Sequence, residues 1–464
     1  MYYRLNDSYA LRSYKFSNKG VFFKYSPTPL SVDDEAFELL KKCDGENDLP
    51  ESDMLKYLCG KGIISPCEKG ERPSEWSSYR KCENRFVPSI NLMITGKCNY
   101  NCRHCFNSAE NADRMEEWDR DALLDLLDQA SECGIHGITL TGGEPMIYPR
   151  FMDAVKEIYK RNMVLEALTT NGYFITEDVL DEFIKLGCRP LIKISYDGIG
   201  HHDYMRGHKG AEEKTLAAFE LCHKKGFETY AQTQVYPGNI DCIEDTLQML
   251  DSMGVETTRL IRTTSVPRWQ KNEPDGCIPM EEYFDKMLDI ADRYMHGEHQ
   301  MNLHIWQYMN LYPKTKEYDL SEVRYPDGIY RPTKQVCLAA RTVMSITCEG
   351  DVVPCIQMSG YGALVGMKND SLKKRRLKDI IESGCWHDSV CMTLCQFRKK
   401  CGECDKCEWF NYCGGGCRAL AMLGPVLEGK PLDYTGPDPV ACLFYKGGWY
   451  DKIRNRLKDF QYIK

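Results

Sequence analysis

The alternation of strand and helix patterns between residues 88 and 265 constrains the fold of this chain more than any other feature. Six short apolar runs alternate there with segments of helical periodicity. The predicted strands are Ser89–Thr95, Gly137–Thr141, Val164–Thr170, Leu191–Tyr196, Thr229–Val235 and Thr258–Arg262. The predicted helices lie near 119–133, 150–162, 176–187, 212–225 and 241–253. This order favours a parallel sheet covered by helices, either open or closed in part as a (β/α)6 barrel of the TIM type. In such a barrel the active site forms at the C-terminal ends of the strands.

The first 85 residues have a different pattern. Two β-like runs, Leu11–Phe16 and Val21–Tyr25, flank a Ser-Asn-Lys-Gly turn, and two short helical patterns follow, the first beginning at Ser31. A hairpin with short helices predicts a small α+β module of winged-helix type. Residues 70–85 are polar, which predicts a linker.

The remaining chain divides into a bridging region and a cysteine-rich end. Residues 266–336 contain one predicted helix near 280–296 and no motif, whereas 337–464 begin with a predicted hairpin over Val343–Ile356 and a short helix near 374–383. We therefore expect four segments, with bounds 1–85, 86–265, 266–336 and 337–464.

Composition excludes several functional classes and leaves the cysteines to be explained. The net charge of −8 and the lack of a long basic run argue against nucleic-acid binding. The N-terminal residues lack the apolar core of a signal peptide, and no run of about 18 apolar residues occurs, so we expect a soluble, cytoplasmic protein without membrane contact. Cytosolic thiols stay reduced, so 24 cysteines, twelve of them in residues 337–464, indicate metal or cluster ligands rather than disulfides.

The first group of cysteines directly follows the first predicted strand. Cys98, Cys102 and Cys105 have spacings of four and three residues. A [4Fe–4S] cluster normally takes four cysteines, so three would leave one iron open to a small-molecule ligand. A zinc site usually needs four ligands built from CxxC pairs, and structural free thiols are the other alternative.

A glycine pair with a carboxylate follows the second predicted strand, as Gly142-Gly143-Glu144-Pro145. Glycines let a backbone approach a ligand closely, and the adjacent carboxylate is able to accept a hydrogen bond from an ammonium group. Together with the cysteine spacing, this motif resembles the signature of the radical S-adenosylmethionine (SAM) superfamily. The resemblance implies that the open iron is chelated by the amino and carboxylate groups of SAM.

The same resemblance assigns further residues to the SAM pocket. It implies that the Gly142–Pro145 motif, through Glu144, holds the methionyl amine and that His104 lies near the adenine. Polar residues at the later strand ends are further candidates for SAM contacts: Asn171, Ser195 for the ribose, Arg206 for the carboxylate or the substrate, and Gln232, with Gln234 and Asn239 as weaker candidates. A structural salt bridge is an alternative role for Arg206.

The second group of cysteines fills the C-terminal region. Cys337 and Cys355 precede a Cys404-x2-Cys407-x5-Cys413-x3-Cys417 run, and Cys442 ends the series. This spacing resembles the seven-cysteine SPASM domain of radical SAM maturases, which holds two auxiliary [4Fe–4S] clusters. The resemblance implies that Cys337, Cys355 and Cys417 bind the first cluster and that Cys404, Cys407, Cys413 and Cys442 bind the second. The expected fold class is therefore α/β, with a partial barrel between a winged-helix-like module and a SPASM domain.

Two questions about these ligands stay open at the level of sequence. A zinc ribbon formed by residues 404, 407, 413 and 417 is possible but would leave the other three cysteines unused. The chain also carries five cysteines beyond the pattern: Cys348, Cys385, Cys391, Cys395 and Cys401. Cys348, or a residue upstream of 337, is a candidate to complete the first auxiliary cluster, which otherwise keeps an open iron able to bind a substrate thiolate.

The resemblance also implies a reaction and its partners. A low-potential electron donor, such as flavodoxin or ferredoxin, reduces the cluster, which cleaves SAM to a 5′-deoxyadenosyl radical that removes a hydrogen atom from the substrate. SPASM relatives act mostly on peptides, so we expect a ribosomally made precursor peptide whose leader binds the N-terminal module by strand addition. The expected product is a Cys sulfur-to-carbon thioether. Alternatives are carbon–carbon or ether crosslinks, formylglycine formation in sulfatase maturation, or a non-catalytic iron–sulfur or zinc scaffold that binds a peptide.

Overall fold

A computed structural model describes residues 1–24, 26, 28–105, 116–337, 343–359, 369–385, 390–427, 430 and 435–463. All 24 cysteines and every predicted site residue lie within these ranges. Tyr25, the predicted end of the second strand, lies outside them.

The N-terminal module has two small sheets, two helices and its own hydrophobic core. Its elements are β1 (Tyr2–Leu5), β2 (Tyr9–Ser13), β3 (Lys19–Phe23), α1 (Asp34–Lys42), α2 (Asp53–Gly60), β4 (Ile64–Cys67) and β5 (Arg80–Lys81). The predicted hairpin is present as antiparallel β2 and β3, and β1 pairs antiparallel with β4. A single cluster of buried residues, including Phe37 and Leu55, joins both sheets to the helices.

Local capping explains where the two helices of this module begin. The Asp33 carboxylate accepts a hydrogen bond from the backbone N–H of Ala36, and the Ser52 hydroxyl accepts one from Leu55. The predicted start at Ser31 is therefore two residues early, because Asp33 makes the cap.

The stretch predicted as a linker is held against the module. β5 pairs in parallel with β2, and the buried Arg12 guanidinium donates hydrogen bonds to the carbonyls of Trp76 and Ser78. Hydrogen bonds to its backbone therefore order this polar stretch. Its composition, which predicted a linker, does not reveal them.

Six parallel strands form the centre of the molecule, in the order in which they occur along the chain. They are β6 (Ser89–Thr95), β7 (Gly137–Gly142), β8 (Val164–Thr170), β9 (Leu191–Ser195), β10 (Thr229–Val235) and β11 (Thr257–Arg262). The connecting helices are α3 (Arg120–Glu132), α4 (Phe151–Lys160), α5 (Glu177–Lys185), α6 (His202–Arg206), α7 (Ala211–Lys224) and α8 (Ile243–Ser252). The predicted strands are all present within one residue at each end. Short 3-10 helices lie at Lys15–Ser17, Pro145–Ile147 and Ile240–Cys242.

The bridging region continues this sheet, which the sequence did not predict. Its elements are α9 (Pro267–Asn272), α10 (Met280–His296), β12 (Asn302–Ile305), β13 (Met309–Tyr312) and β14 (Glu317–Leu320). β12 is parallel to β11, and β13 and β14 follow antiparallel. The helix has its predicted bounds, but strands of four residues are too short for their alternating burial to stand out in the sequence.

The C-terminal region joins both edges of the same sheet. Its strands are β15 (Val343–Ile346), β16 (Asp351–Val353), β17 (Asp370–Ser371) and β18 (Gln461–Tyr462). Its helices are α11 (Leu377–Ser383), α12 (Leu394–Lys400), α13 (Gly402–Asp405), α14 (Phe410–Cys413), α15 (Arg418–Leu427), α16 (Pro439–Lys446) and α17 (Trp449–Arg456). β15 is parallel to β6 and antiparallel to β16, and β18 pairs with β14, which gives a sheet of 13 strands.

One continuous hydrophobic core therefore spans the central and C-terminal regions. Phe284 stacks on Tyr308 with ring centroids 4.2 Å apart, and Trp449 packs edge-on against both rings. The N-terminal module contacts this body through hydrogen bonds, such as the one of 2.7 Å from the Tyr14 hydroxyl to the carbonyl of Gly134, through the Lys15–Glu382 ion pair, and through the rings of Phe22 and Trp76 against His136. Among the described residues, no helix is both long enough and apolar enough to cross a bilayer.

Trp449 tests whether the C-terminal helices are part of the central core. Its side chain is 2% exposed, so Trp449→Ala should lower the free energy of unfolding by about 3–5 kcal/mol through lost burial and a cavity. Chemical denaturation without oxygen, followed by circular dichroism, measures the change. Tyr57→Ala, at a side chain 59% exposed, is the control and should change stability by less than about 0.5 kcal/mol. Equal stability of the two variants would contradict a shared core.

Candidate metal centres

The loop after β6 brings Cys98, Cys102 and Cys105 together. Two backbone hydrogen bonds hold it to the end of α6, from Asn101 N–H to the carbonyl of Arg206 (3.2 Å) and from Arg103 N–H to the carbonyl of Met205 (2.9 Å). Burial raises the pKa of the Cys98 thiol to about 12, and the neighbouring thiols at 102 and 105 contribute to the rise. Cluster ligands are thiolates, so the Cys98 thiol needs the positive charge of bound iron to ionise near neutral pH.

The two glycines of the next loop lock this cysteine loop to the end of β7. A Cβ atom on Gly142 would lie 2.2 Å from the carbonyl oxygen of Thr95, and one on Gly143 would lie 2.2 Å from that of Lys97. Gly142 also has a φ of +148°, which favours glycine. The N–H of Gly143 donates to the carbonyl of Thr95 (2.8 Å), and that of Glu144 donates to Lys97 (2.8 Å). We expected the two glycines to let the backbone come close to a ligand. In the structure they let it come close to the backbone of the cysteine loop instead.

Glu144 is a fully buried carboxylate held by three hydrogen bonds. Oε1 accepts from the Thr170 hydroxyl (2.8 Å) and from the N–H of Met146 (3.1 Å), and Oε2 accepts from the N–H of Asn171 (2.7 Å). Burial raises the pKa of Glu144 to about 7, although these hydrogen bonds act in the opposite direction. A bound ammonium group would restore the charge of this carboxylate. Pro145 is buried and begins the short 3-10 helix that Glu144 caps.

Three buried polar atoms near the cysteine loop lack a hydrogen-bond partner within the described structure. They are Asn99 Nδ2, the Tyr100 hydroxyl and His104 Nδ1. Asn171 lies beside them, because its Nδ2 donates to Asn99 Oδ1 (2.7 Å). Burial lowers the pKa of His104 to about 3, so its ring is neutral. Buried polar atoms are normally satisfied, so this set fits a polar ligand bound against the loop.

Arg206 forms a buried ion pair with Asp197. Its Nε lies 2.7 Å from Asp197 Oδ2, and its Nη1 donates to the sulfur of Cys102 at 3.9 Å. Burial alone would raise the pKa of Asp197, but the Arg206 guanidinium outweighs it and holds that pKa below its usual value. The structural salt bridge considered for Arg206 is thus present, and it places a positive charge beside the cysteine loop. A contact with the SAM carboxylate stays a prediction.

The ends of β9 and β10 place two other predicted residues side by side. Ser195 and Gln232 are direct neighbours in the parallel register, and both are half-buried. Asn239 is fully buried and donates from Nδ2 to the carbonyls of Asp197 (2.7 Å) and Gln234 (2.8 Å). Asn239 therefore has a structural role, whereas contacts of Ser195 and Gln232 with a nucleotide stay predictions.

A second group of thiols contains Cys337, Cys355 and Cys417. Burial raises the pKa of Cys417, and the Asp438 carboxylate and the two other thiols add to the rise. Burial likewise raises the pKa of Cys355 to about 12, with Cys337 contributing. Asp438 Oδ2 accepts a hydrogen bond of 2.6 Å from the N–H of Cys417, which fixes that end of the group.

A third group contains Cys404, Cys407, Cys413 and Cys442, which line one cavity together with aromatic side chains such as Phe410. Burial raises the pKa of Cys404, and Cys401 and other thiols of the cavity contribute. Cys417 belongs to the second group and not to this one, so the grouping disfavours a zinc ribbon made of residues 404, 407, 413 and 417.

The thiols of all three groups are spread more widely than ligands of a single ion. Within the described ranges, no three His, Cys, Asp or Glu side chains surround one point as ligands of one metal ion would.

Cys348, the predicted candidate for completing the first auxiliary cluster, lies in the turn between β15 and β16. Its thiol is buried and donates to Glu349 Oε1 at 3.3 Å. Cys355 follows the far end of β16, which is about 10 Å away at 3.3 Å per residue. This placement differs from the prediction, because the hairpin holds the two thiols at opposite ends.

Comparisons with known proteins agree with this arrangement. A family profile described as the radical SAM superfamily matches residues 92–250. An AdoMet-dependent heme synthase of Methanosarcina barkeri is 25% identical over 73% of this chain and 93% of its own length. The PqqA peptide cyclase of Granulibacter bethesdensis is 22% identical over 75% of this chain and 87% of its own length.

A solved structure resembles almost the whole chain. The crystal structure of Streptococcus suis SuiB bound to the precursor peptide SuiA has a TM-score of 0.64 and 14% identity, and the match covers 95% of this chain and 99% of that one. Coverage this high is too large to omit the N-terminal 85 residues, so the shared fold includes the N-terminal module.

We call the close contact of Gly142 and Gly143 with the cysteine loop the clamp. A substitution at Gly143 tests it. Gly143→Ala would place a methyl group 2.2 Å from the carbonyl oxygen of Lys97 and displace the cysteine loop. We expect iron bound after anaerobic reconstitution to fall by up to one cluster, about four irons per chain. Gly60→Ala is the control, because nothing lies within 4 Å of its Cβ position. Full iron content in the Gly143 variant would contradict the clamp.

Proposed function

We propose that this chain, which carries a radical SAM domain over residues 92–250, is a maturase that modifies a precursor peptide. Members of this family bind SAM and a [4Fe–4S] cluster, and both are cofactors of this chain. When bound, they supply a 5′-deoxyadenosyl radical that removes a hydrogen atom from the substrate.

The observation that carries the proposal is the pairing of a three-thiol loop with the buried carboxylate of Glu144. Cys98, Cys102 and Cys105 would hold three corners of the cluster, which leaves one iron for the amino acid end of SAM. Glu144 would accept a hydrogen bond from the iron-bound amino group of SAM, and the clamp at Gly143 sets its position relative to the loop. The orphaned polar atoms of Asn99 and His104 would face the remaining SAM atoms.

The two groups of cysteines in the C-terminal region are evidence for auxiliary clusters. Each group gathers cysteines that lie far apart in the sequence, such as Cys337 with Cys417 and Cys404 with Cys442. A cluster at such a site would take up the electron released when the substrate is oxidised. We also propose a low-potential flavodoxin or ferredoxin as the donor that reduces the first cluster.

A peptide substrate is supported by the relatives and by the N-terminal module. A cyclase of the peptide PqqA is similar in sequence, and SuiB, whose structure was solved with its precursor peptide, is similar in fold over 95% of the chain. The module has its own core and a β-hairpin, which suits it for holding a leader by strand addition.

The strand edges of the module indicate where a leader peptide would bind as an additional strand. On β4, Pro66 has no N–H to offer an added strand. The outer edge of β3 carries a backbone hydrogen bond from the N–H of Leu30 to the carbonyl of Val21 (2.7 Å). The Phe23 carbonyl on the same edge accepts one from the N–H of Ser26 (3.0 Å) and lies 3.0 Å from His136 Nε2. We propose β3 as the docking strand, with the leader replacing these bonds.

Within this class we propose a thioether between a peptide cysteine and a carbon atom. The bond forms with the loss of two hydrogens: one hydrogen atom goes to the deoxyadenosyl radical, and the thiol proton goes to solvent. The remaining electron goes to an auxiliary cluster. A carbon–carbon or ether crosslink gives the same mass loss but leaves peptide thiols intact, and formylglycine formation adds no crosslink. A non-catalytic scaffold would produce none of these changes.

The heme synthase relative favours a second candidate, in which a heme precursor is the substrate. That relative matches over 93% of its own length. Incubation of the reconstituted enzyme with a co-expressed peptide and, separately, with a heme precursor distinguishes the two. Mass spectrometry detects which molecule loses hydrogens.

Replacing Cys98, Cys102 and Cys105 by Ala tests the assignment of the catalytic cluster. We expect 5′-deoxyadenosine formation to be abolished and the iron content to fall by about four per chain, while the auxiliary clusters stay intact. Liquid chromatography and electron paramagnetic resonance measure the two effects. Cys59→Ala, at a half-buried thiol of the N-terminal module, is the control. SAM cleavage that survives in the triple variant would refute the assignment.

Glu144→Gln tests the contact with the amino group of SAM. The pKa of Glu144 is raised to about 7 without ligand, so SAM should bind more tightly as the pH rises from about 6 to 8 and the carboxylate ionises. The variant should bind SAM about 10- to 100-fold more weakly at pH 8 and lose this pH dependence. Isothermal titration without oxygen measures both. Glu117→Gln, which removes a half-buried carboxylate paired with Lys97, should retain the pH dependence.

A further inference from the structure

We propose that a cavity between the N-terminal module and the central sheet binds an acidic segment of a peptide. This inference rests on the proposed function in one respect, because it takes that peptide to be part of the precursor. The cavity has a volume of about 660 Å³, within the range of about 300–1,000 Å³ that ligand pockets occupy. It therefore has room for a ligand much larger than a single ion.

One face of a sheet of the N-terminal module forms the first wall of the cavity. Arg12 of β2 and Phe22 of β3 line it, as does Lys24, directly after β3. These residues alternate along the strands with Leu11 and Val21, which are buried in the module's own core. The sheet therefore presents one face to that core and the other face to the cavity.

The central region forms the opposite wall, at the N-terminal ends of its strands. The lining includes His136, directly before β7, and Met163, directly before β8. The cysteine loop follows the C-terminal end of β6, which is parallel to β7. Because β7 has six residues, the cavity and the cysteine loop lie at opposite ends of the sheet, about 20 Å apart. A ligand in this cavity is therefore not at the site where SAM would be cleaved.

Three cations of the cavity have no carboxylate partner among the described residues. They are Arg12, Lys24 and Arg80. The buried Arg12 guanidinium donates to backbone carbonyls, and Arg80 donates to the carbonyl of Ser131 (2.7 Å). Burial lowers the pKa of Arg12 to about 10, and the charge of nearby Arg80 contributes to the fall. An anion in the cavity would offset both effects.

The other charged residues of the lining do not balance these three cations. Asp7 pairs with Arg4 (3.4 Å), which lies outside the lining. Arg161, a fourth cation, is paired with carboxylates of its own. Glu75 is the remaining carboxylate of the lining, so three cations without a carboxylate partner share the cavity with one such carboxylate. A ligand with several carboxylates would balance the charge.

Two features of the walls favour a peptide over a small anion. The rings of Phe22 and Trp76 lie against that of His136, with centroids 5.4 and 6.1 Å away. Burial lowers the pKa of His136 to about 4, so its ring is neutral and adds apolar surface. The cavity also adjoins the outer edge of β3, since the Phe23 carbonyl lies 3.0 Å from His136 Nε2. A leader added to β3 would therefore lie next to the cavity at one end.

The position of the cavity sets a minimum spacing within the precursor. An extended chain spans at most about 3.6 Å per residue, and the cavity lies about 20 Å from the cysteine loop. At least about six residues must therefore separate the acidic segment from the modified residue. The cavity would thus hold a part of the peptide that is not itself modified.

Binding of a labelled acidic peptide tests the proposal. The probe is a rhodamine-labelled peptide of sequence Glu-Glu-Phe-Glu-Glu, added to the full-length reconstituted protein without oxygen or SAM and followed by fluorescence anisotropy. We expect saturable binding that weakens as the salt concentration rises. The corresponding peptide Lys-Lys-Phe-Lys-Lys should bind at least about tenfold more weakly, because it meets like charges.

A charge reversal at Lys24 locates the site. Lys24→Glu should weaken binding of the acidic peptide about 5- to 30-fold, because it reverses a charge that lines the cavity. Lys61→Glu, the same change at an exposed lysine after α2 and outside the cavity, is the matched control and should bind as the parent protein does. Lys24→Arg should retain tight binding, which separates the loss of charge from a folding defect.

Several results would overturn the site: no saturable binding, equal binding of the acidic and basic peptides, or equal effects of Lys24→Glu and Lys61→Glu. Displacement of the probe by inorganic phosphate, but not by sodium chloride of the same ionic strength, would overturn a peptide ligand in favour of a small anion. These results leave the proposed function intact, because SAM cleavage to 5′-deoxyadenosine is measured separately. A parent protein that binds the peptide through Lys24 but cleaves no SAM would support the site and contradict the proposed function.

Discussion

The contact between two glycines and the backbone of the cysteine loop is the constraint on which the catalytic site depends. Gly142 and Gly143 allow the end of β7 to come within hydrogen-bonding distance of Thr95 and Lys97. This contact sets the distance between the three thiols, which follow β6, and the carboxylate of Glu144, which follows β7. Any side chain at Gly143 would have to displace the loop. The chemistry of the site therefore depends on the absence of two side chains as much as on the residues that would bind cofactors.

The electrostatics of the site favour a cationic ligand. Burial raises the pKa of the Cys98 thiol to about 12, so without ligand this thiol favours its neutral form. Burial raises the pKa of Glu144 to about 7, so this carboxyl group is only partly ionised near neutral pH. Arg206 is a buried positive charge next to the loop, and Asp197 balances it. Bound iron would supply the missing positive charge. Without cofactors, the protein groups that would bind them therefore lack a balancing positive charge, which the bound cofactors would provide.

A single sheet connects the catalytic loop to the auxiliary thiols. β15 pairs with β6, so the hairpin that ends near Cys355 is fixed to the strand that ends near Cys98. At the far edge, β18 pairs with β14 and secures the C-terminal helices to the same body. Because electron transfer between clusters requires fixed separations, a shared sheet suits their proposed roles. The N-terminal module has its own core, which suits the different task proposed for it of holding a flexible peptide.

The sequence by itself determined the local elements and the candidates for the reactive groups. The strands from Ser89 to Arg262 and the helix at Met280–His296 followed from periodicity, since burial on one face imposes a repeat that a single segment reveals. The spacing of Cys98, Cys102 and Cys105, together with Glu144, indicated the radical SAM family. The tertiary structure alone decided which distant segments meet: β15 beside β6, Arg206 with Asp197, the glycine pair against the cysteine loop, and Gln335 opposite Thr393. Such contacts depend on backbone register and close packing between segments far apart in the chain, and neither leaves a local pattern in the sequence.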